Sequence, residues 1–301
     1  MNINTHKLSK SFIDELAVNK VDLNVKSGTI HGLIGSNGAG KTTLLKILAG
    51  IYKSDEGEAL FDDAPVFENL DVKNRVIFIG DMPFFFSGFS LMQMANHYKT
   101  LYSNWSDERF EKLYSYFKLN PKKPLNEMSK GMRRQASFIL AFSSKPDVLL
   151  LDEPFDGLDP IVRRQIKNII LQDVESYGLT VFLSSHNLLE MENICDAISI
   201  MHDGKVLYTN SIHDMKDTHC KLQIAFKELP DESFYKKLNV VQHSIQGRVI
   251  TAIIKGDIKN VEVNISKYEP LMYDILPITL DEMFAYEMGE TGYAIENIIV
   301  E

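Results

Sequence analysis

The sequence predicts an α/β fold with a mainly parallel central sheet, followed by a small unit of the α+β class. Short apolar segments such as "IHGLI", "RVIFI", "DVLLLD" and "TVFLSS" alternate with helical patterns, which is typical of strands joined by helices. A glycine-rich stretch, "GSNGAGKTTL", joins the first of these strands to a helix. After residue 210 apolar and polar residues alternate, which favours antiparallel strands. The chain is therefore expected to divide into a large α/β region and a smaller tail.

The composition indicates a globular protein with an acidic balance. The chain has 301 residues, of which 45% are hydrophobic, so a sizeable core can form. Its formal net charge of −9 disfavours a general nucleic-acid-binding surface and leaves a local basic patch open. No basic-then-apolar leader and no apolar run of bilayer length occur, so we expect the protein in the cytoplasm. Cys195 and Cys220 lack metal-ligand spacing, so reduced thiols are expected.

The glycine-rich stretch matches the pattern G-x-x-x-x-G-K-[ST], with Gly35, Gly40, Lys41 and Thr42 at the fixed places. Glycines let backbone N–H groups point at a polyphosphate, and the start of the next helix adds partial positive charge. We expect Lys41 to reach the terminal phosphates and the Thr42 hydroxyl to hold Mg²⁺. The alternative is a turn that only joins a strand to a helix. The other loop residues expected to bind the nucleotide are Ser36, Asn37, Gly38, Ala39 and Thr43.

A later apolar strand, in "VLLLDEP", ends in the carboxylates of Asp152 and Glu153. Ligands of open α/β sheets bind at the carboxyl ends of the strands, so both side chains are placed at the expected site. Asp152 suits Mg²⁺, and Glu153 is then free to polarise the water that attacks the γ-phosphate. Taken alone, the pair could also be an ordinary polar strand end.

The regions between and after these motifs predict two further parts. Residues 91–119 show apolar residues at helical spacing, which indicates a helical subdomain over about 86–145 within a cassette of residues 1–215. Residues 216–301 are expected to form a small accessory domain. In it "KLQIAF", "VVQHSIQGRVITAIIKG" and "VEVNI" alternate like strands, with turns at Gly247 and Gly256. Thr279 and Glu282 have the spacing of a capping box, which predicts a helix over "LDEMFAYEM".

Five motifs occur in a fixed order: "GSNGAGKTT", "MSKGMRRQ", "LLLDEP", "GLDP" and "SSH". Over roughly residues 1–210 the chain resembles the nucleotide-binding subunit of an ATP-binding cassette (ABC) transporter, a P-loop NTPase. The resemblance implies a parallel core sheet with an antiparallel edge, ATP and Mg²⁺ as cofactors, and ATP hydrolysis. It also implies that two cassettes, identical or different, enclose two ATP molecules and drive a separate membrane permease at the inner face of the membrane.

The same resemblance assigns further residues. Ser129 and Gly131 would contact the γ-phosphate bound by the other cassette, although Ser and Gly are also common at helix starts. Asp159 would link the two sites, and His186 would contact the γ-phosphate. Phe12 would stack on adenine, with a core position as the alternative.

The chain departs from the family pattern where a strand normally ends in a glutamine that touches Mg²⁺. Asp81 stands at that place, and its carboxylate is expected to bind the metal directly or through water. The next segment, "MPFFFSGF", has two interpretations. The aromatic residues Phe84, Phe85 and Phe86 either grip an amphipathic helix of the permease or pack under the helical subdomain.

The exporter branch, which includes bacitracin, antimicrobial-peptide and drug export ATPases, is the nearest resemblance. It implies export of a drug, an antibiotic or an antimicrobial or amphipathic peptide. The alternative is a soluble ABC ATPase that acts on nucleic acid or ribosomes, but such proteins usually carry a long coiled coil or two cassettes. A regulator that does not hydrolyse ATP is disfavoured by the presence of Glu153 and His186.

Overall fold

Strands and helices alternate through most of the chain. In this computed structural model, residues 1–13, 15–256, 258–276 and 278–282 are described. Two units pack separately: residues 1–187 with 194–209, and residues 188–193 with those from 210 onward. The expected boundary near residue 215 stays a prediction.

The first unit contains two sheets and their connecting helices. Its elements, with α7 of the other unit in chain order, are β1 (Ile3–Phe12), β2 (Glu15–Val25), β3 (Ile30–Ile34), α1 (Lys41–Leu48), β4 (Glu56–Phe61), β5 (Ala64–Pro65), α2 (Leu70–Lys73), β6 (Val76–Ile79), α3 (Leu91–Leu101), α4 (Asp107–Tyr116), α5 (Lys130–Ser143), β7 (Val148–Asp152), α6 (Pro160–Tyr177), β8 (Thr180–Ser185), α7 (Leu188–Glu192), β9 (Ala197–His202) and β10 (Lys205–Ser211). A 3₁₀ helix spans Leu125–Glu127.

The central sheet has the strand order β10-β9-β3-β8-β7-β6. Strands β3, β6, β7, β8 and β9 pair in parallel, and a second, antiparallel sheet has the order β2-β1-β4-β5. Every residue of β3, β7 and β8 is buried, which explains their nearly continuous apolar runs. This architecture confirms the predicted α/β cassette fold.

Helix α1 packs on the central sheet. Its residues Leu44 and Leu48 are fully buried in one cluster with Leu150 of β7 and Phe182 of β8. This burial fixes the start of the helix against the ends of two parallel strands. The glycine-rich loop before α1 is therefore held at the carboxyl edge of the sheet.

The predicted helical insert consists of α3, α4 and α5. Ser90 and Gln93 form a reciprocal capping box at the start of α3, and Ser106 caps α4. Helix α5 buries a continuous stretch at residues 136–143. The helical spacing read from residues 91–119 is thus confirmed.

The second unit is an antiparallel sheet with short helices. Its further elements are α8 (Ile212–Thr218), β11 (His219–Ala225), α9 (Glu232–Lys237), β12 (Val240–Gln246), β13 (Val249–Lys255), α10 (Ile258–Ile265), a 3₁₀ helix (Ser266–Tyr268) and β14 (Met272–Leu276). The strand order is β12-β13-β11-β14, and the β12–β13 hairpin turns at Gly247 as expected.

One strand prediction in this unit is wrong. The segment "VEVNI" lies in helix α10. Val261 and Ile265, four residues apart, are buried, whereas the intervening Val263 is 62% exposed. Three alternating apolar residues fit both a strand and a helix, and burial at a spacing of four shows the helix.

The predicted capping box near the end of the chain is confirmed. The backbone N–H of Thr279 donates to Glu282 Oε2 at 3.1 Å, and the N–H of Glu282 donates to Thr279 Oγ1 at 3.3 Å. Residues 280–282 are helical, and the rest of the predicted helix, 283–288, lies outside the described residues.

Candidate functional site

A cavity of about 470 Å³ opens at the carboxyl edge of the central sheet. Its lining comes entirely from the first unit. The lining residues are Phe12, Glu15, Ala17, Ser36, Asn37, Gly38, Ala39, Gly40, Lys41, Thr42, Thr43, Asp81, Asp152, Glu153, Asp156 and His186. Most of the residues singled out in the sequence therefore meet in one place.

The loop between β3 and α1 needs glycine at two points. Gly40 has a φ of 101°, and a Cβ atom there would lie 2.1 Å from the carbonyl oxygen of Ala17. A Cβ atom on Gly35 would lie 2.3 Å from the carbonyl oxygen of Met201. Gly35 does not line the cavity, so its contribution is to let the loop pass close to β9.

Lys41, the first residue of α1, is held inside the loop that precedes it. Its Nζ donates to the carbonyl oxygens of Gly35 at 2.6 Å and Ser36 at 2.9 Å, and lies 3.8 Å from Glu153 Oε1. Burial lowers the pKa of Lys41, while the carboxylates of Glu153 and Asp152 oppose that shift. The ammonium is thereby fixed at the helix start, where a phosphate would bind.

Asp152, the last residue of β7, is fixed by two hydroxyl groups. Thr42 Oγ1 donates to Asp152 Oδ2 and Ser184 Oγ donates to Asp152 Oδ1, each at 2.7 Å. The Thr42 and Asp152 oxygens are the hard ligands that Mg²⁺ prefers, and they already lie side by side. Ser184 was missed in the sequence, although its place in "TVFLSS" beside Asp152 in the parallel register was a usable signal.

Glu153 follows directly, and both its backbone and its side chain are held. It has a φ of 44°, a left-handed conformation that residues other than glycine rarely adopt. Its N–H donates to Ser184 Oγ at 3.1 Å, and its carbonyl oxygen accepts from Arg134 Nη1 at 2.7 Å. Its Oε2 lies 3.1 Å from His186 Nδ1. The carboxylate is thus placed between His186 and Lys41.

Asp81 lies at the rim of the cavity and is engaged by an arginine. Its Oδ1 lies 2.8 Å from Arg134 Nη2, which also donates to the Asp81 carbonyl oxygen. The side chain of Arg134, a residue of α5, is buried, whereas the Asp81 side chain is 47% exposed. The placement of Asp81 as a metal ligand stays a prediction.

The aromatic residues near the cavity differ in exposure. Phe12, at the end of β1, is 40% exposed. Its ring meets that of Tyr52 edge-on, with 5.4 Å between the ring centroids. Phe84 is 77% exposed, which speaks for this residue against the alternative that it packs under the helical subdomain. The ring of Phe86 packs against that of His97 on α3, with 5.2 Å between the ring centroids. The segment is therefore anchored to the helical subdomain through Phe86, whose ring also contacts that of Phe84, and it leaves most of Phe84 exposed.

Besides Gly35, three predicted residues lie outside the cavity lining. Ser129 caps α5 by accepting from the N–H of Met132 at 3.2 Å, and Gly131 lies in the first turn of that helix. Asp159 caps α6 through the N–H groups of Ile161 and Val162. Their expected contacts to a second cassette stay predictions.

Three lining residues were missed. Glu15 and Ala17 reach the cavity from β2, and no local sequence motif marks them. Asp156 lies four residues after Asp152, in "DEPFD". Within the described part of the chain, ligand atoms of Glu153, Asp156 and His186 lie within 4.8 Å of one another. Together these groups place a proton acceptor and polar neighbours beside the phosphate loop.

Comparison with known proteins places this site in a family. A family model described as ABC transporter matches residues 18–156. YtrB, an ABC transporter ATP-binding protein of Bacillus subtilis, is 25% identical over 95% of this chain and 98% of its own length. BcrA, a bacitracin transport ATP-binding protein of Enterococcus faecalis, is 32% identical over 71% of this chain and 70% of its own length.

A solved structure shares the fold. The ATP-binding subunit of an ABC transporter superposes with a TM-score of 0.67 at 24% identity, covering 72% of this chain and 92% of that one. Among the residues described here, no helix has the length and apolar character needed to cross a bilayer. The relatives and the phosphate-binding geometry lead to one conclusion: the chain belongs to the ATP-binding cassette transporter family, as an ATP-binding subunit that is an ATPase.

Proposed function

We propose that this chain pairs with a second cassette around two ATP molecules and powers a separate membrane permease by hydrolysing them. The observation that carries the proposal is the position of Glu153. Its carboxylate lies 3.1 Å from His186 and 3.8 Å from Lys41, beside the phosphate loop and next to Asp152. A general base must lie within hydrogen-bond reach of the water that it activates, and this carboxylate borders the cavity where the γ-phosphate would bind.

The residues that line the cavity have different proposed roles in ATP binding and hydrolysis. The N–H groups of residues 36–43 and the Lys41 ammonium bind the phosphates, and Phe12 offers an exposed ring to the adenine. Glu153 accepts the proton of the attacking water, and His186 holds the carboxylate and the γ-phosphate region.

The oxygens of Thr42 and Asp152 fit a Mg²⁺ ion. When bound, Mg²⁺ offsets the negative charge of the triphosphate. The hydroxyl groups of Thr42 and Ser184 fix the Asp152 carboxylate in place.

The second cassette would complete each site. Ser129 and Gly131 lie at the N-terminal end of a fourteen-residue helix, where N–H groups and the helix dipole favour an anion. They do not line this chain's own cavity, which supports a role toward the nucleotide of the other cassette. Asp159, at the start of α6, would connect the two sites.

The loop from Gly80 to Phe89 would dock the permease at the inner face of the membrane. Met82 and Phe84 are 83% and 77% exposed, beside Asp81 at the nucleotide cavity. Exposed apolar side chains of this size are typical of surfaces that grip a partner helix. In this proposal the assembled chain lies at the cytoplasmic face of the membrane.

The cargo that we propose is a drug, an antibiotic or an antimicrobial or amphipathic peptide, moved outward. Support comes from BcrA, whose name gives bacitracin transport. The alternative, a soluble ATPase acting on nucleic acid or ribosomes, gains no support from these relatives.

Purification of the native complex tests the proposal. The chain is isolated from detergent-solubilised membranes, and the co-purifying proteins are identified by mass spectrometry. We expect a multi-span membrane protein that stimulates ATP hydrolysis when both are reconstituted in vesicles. Co-purification with ribosomes alone, and no stimulation by any membrane protein, would contradict it.

A further inference from the structure

A single buried guanidinium joins three segments that are distant in sequence. Arg134 of α5 donates through Nη2 to Asp81, in the loop after β6, and through Nη1 to the carbonyl oxygen of Glu153, after β7. Its side chain is only 1% exposed. The arginine is therefore a fixed connection between the helix and two loops that border the nucleotide cavity.

The burial of this arginine depends on its acidic partner. A buried charge is costly unless it is paired and hydrogen-bonded, and Asp81 supplies the opposite charge at 2.8 Å. In the part of the chain that the structure describes, the Nε atom of Arg134 has no hydrogen-bond partner. The hydrogen bonds of the buried guanidinium are therefore made by its two Nη atoms.

The contact to Glu153 acts on a strained backbone. With a φ of 44°, Glu153 adopts a conformation that is unfavourable for a residue other than glycine and persists only when its surroundings hold it. Ser184 holds the N–H side of the residue, and Arg134 holds the carbonyl side. Loss of either contact frees the peptide to rotate, and the carboxylate moves with it.

We propose that Arg134 is a positioning residue for hydrolysis, which holds the Glu153 backbone in the left-handed conformation that aims its carboxylate at the attacking water. Asp81 acts through Arg134, because it fixes and neutralises the guanidinium. The role rests on the proposed function of Glu153 as the base. It also explains how a carboxylate fits at position 81: its charge is balanced inside the protein before any metal binds.

Turnover separated from binding tests this role. In Arg134→Met, a side chain of similar length without charge, we expect kcat to fall about 30-fold, because small misplacements of a catalytic group are costly. The Kd for ATP should stay within about twofold, since the phosphate loop is untouched. Arg133→Met is the matched control, because Arg133 neighbours Arg134 on the same helix and is exposed. A kcat of Arg134→Met within twofold of the wild type would overturn the proposal.

A double-mutant cycle separates Asp81 from a direct metal ligand. If Asp81 acts through Arg134, Asp81→Asn lowers kcat in the wild-type background and has little further effect in Arg134→Met. The Mg²⁺ concentration that gives half-maximal ATP binding should then be the same for wild type and Asp81→Asn. Multiplicative losses in kcat, together with a shifted Mg²⁺ requirement, would show that Asp81 acts on the metal instead.

A crystal structure of Arg134→Met gives a readout that does not depend on turnover. We expect the φ of Glu153 to leave the left-handed region, while α5 keeps its place. Retention of a φ near 44° would overturn the positioning role even if kcat has fallen. Absence of hydrolysis in the wild type would instead count against the base role of Glu153, so the two failures are distinguishable. Asp81→Asn, at a half-exposed position, keeps the test open if Arg134→Met does not fold.

Discussion

The phosphate loop (residues 35–43) and the loop after β6 (residues 80–89) border the same cavity, but they are held in opposite ways. The phosphate loop is fixed by close backbone packing at Gly40 and by Lys41, whose ammonium is bound to two carbonyl oxygens. The loop after β6 is tied at Asp81 by Arg134, and it leaves Met82 and Phe84 largely exposed.

The difference indicates where rigidity and adaptability are needed. The phosphates of ATP always offer the same charged oxygens, so a loop that is already ordered binds them without a large ordering cost. A permease helix, which we propose docks on the loop after β6, would need apolar surface, and the exposed Met82 and Phe84 offer it. Arg134 contacts both Asp81 and the carbonyl oxygen of Glu153, so it connects the loop after β6 to the residue that we propose as the base.

The largest effect is expected beside the phosphate loop, where one substitution should lower turnover without loss of ATP binding. In Glu153→Gln the amide cannot accept a proton, so we expect kcat to fall about a thousand-fold while ATP binding is kept. Purified protein is assayed for phosphate release and for nucleotide affinity, and an ATP-bound dimer should accumulate. Near-normal turnover would mean that the base lies elsewhere.

Low pH should lower the free energy of unfolding through a histidine in β3, the strand that precedes the phosphate loop. His31 of β3 is buried with Nε2 2.8 Å from Ser199 Oγ, and burial lowers the pKa of His31 from 6.5 to about 4. As the pH falls, the unfolded chain binds a proton first, so stability present above pH 6.5 is lost progressively toward pH 4. We expect His31 to lower the free energy of unfolding by about 2 kcal/mol at pH 5 relative to neutral pH.

Denaturant unfolding at several pH values measures this contribution. His31→Gln keeps a polar partner for Ser199 and removes the titrating group, so its stability should fall less steeply between pH 7 and pH 5. Equal slopes for the two proteins would show that His31 is not the group responsible.

A smaller effect should appear at the adaptable side. Phe84→Ala is expected to weaken permease association about tenfold, because an exposed aromatic residue at an interface typically contributes about 1–2 kcal/mol. Basal ATP hydrolysis and the melting temperature should change little, since the side chain is 77% exposed. Leu70→Ala, at 73% exposure in α2, is the control for loss of an exposed apolar group.

The competing outcome for Phe84 is a loss of stability. Truncation of a buried phenylalanine costs about 3–5 kcal/mol, and such a loss with intact permease association would remove the docking role.

The smallest effect on nucleotide binding should come from the second unit. Every residue that lines the cavity belongs to the first unit. Removal of residues 216–301 is therefore expected to leave the Kd for ATP within about twofold, measured on folded protein. A folded truncation that no longer binds ATP would show that the tail contributes to the site.

Local patterns predicted the phosphate side of the cavity. The spacing of Gly35, Gly40, Lys41 and Thr42 reflects contacts within one loop, so the sequence carries it directly. Asp152 and Glu153 were predicted because a buried strand ends there. These features depend on neighbours a few residues away.

The contacts that were missed join distant segments. Arg134 lies 53 residues from Asp81 and 19 from Glu153, and only the packing of α5 against the sheet edge brings them together. Ser184 lies 32 residues from Asp152 and required the strand register. In the tail, "VEVNI" was too short for its period to be decided without burial.

The left-handed backbone at Glu153 sets the demands of folding against those of catalysis. Glycine or asparagine would adopt that conformation at lower cost, so selection for stability alone would favour either of them at this position. Each would remove the carboxylate. If Glu153 is the base that we propose, it persists only while hydrolysis is under selection, and a descendant released from that demand would become more stable by losing it.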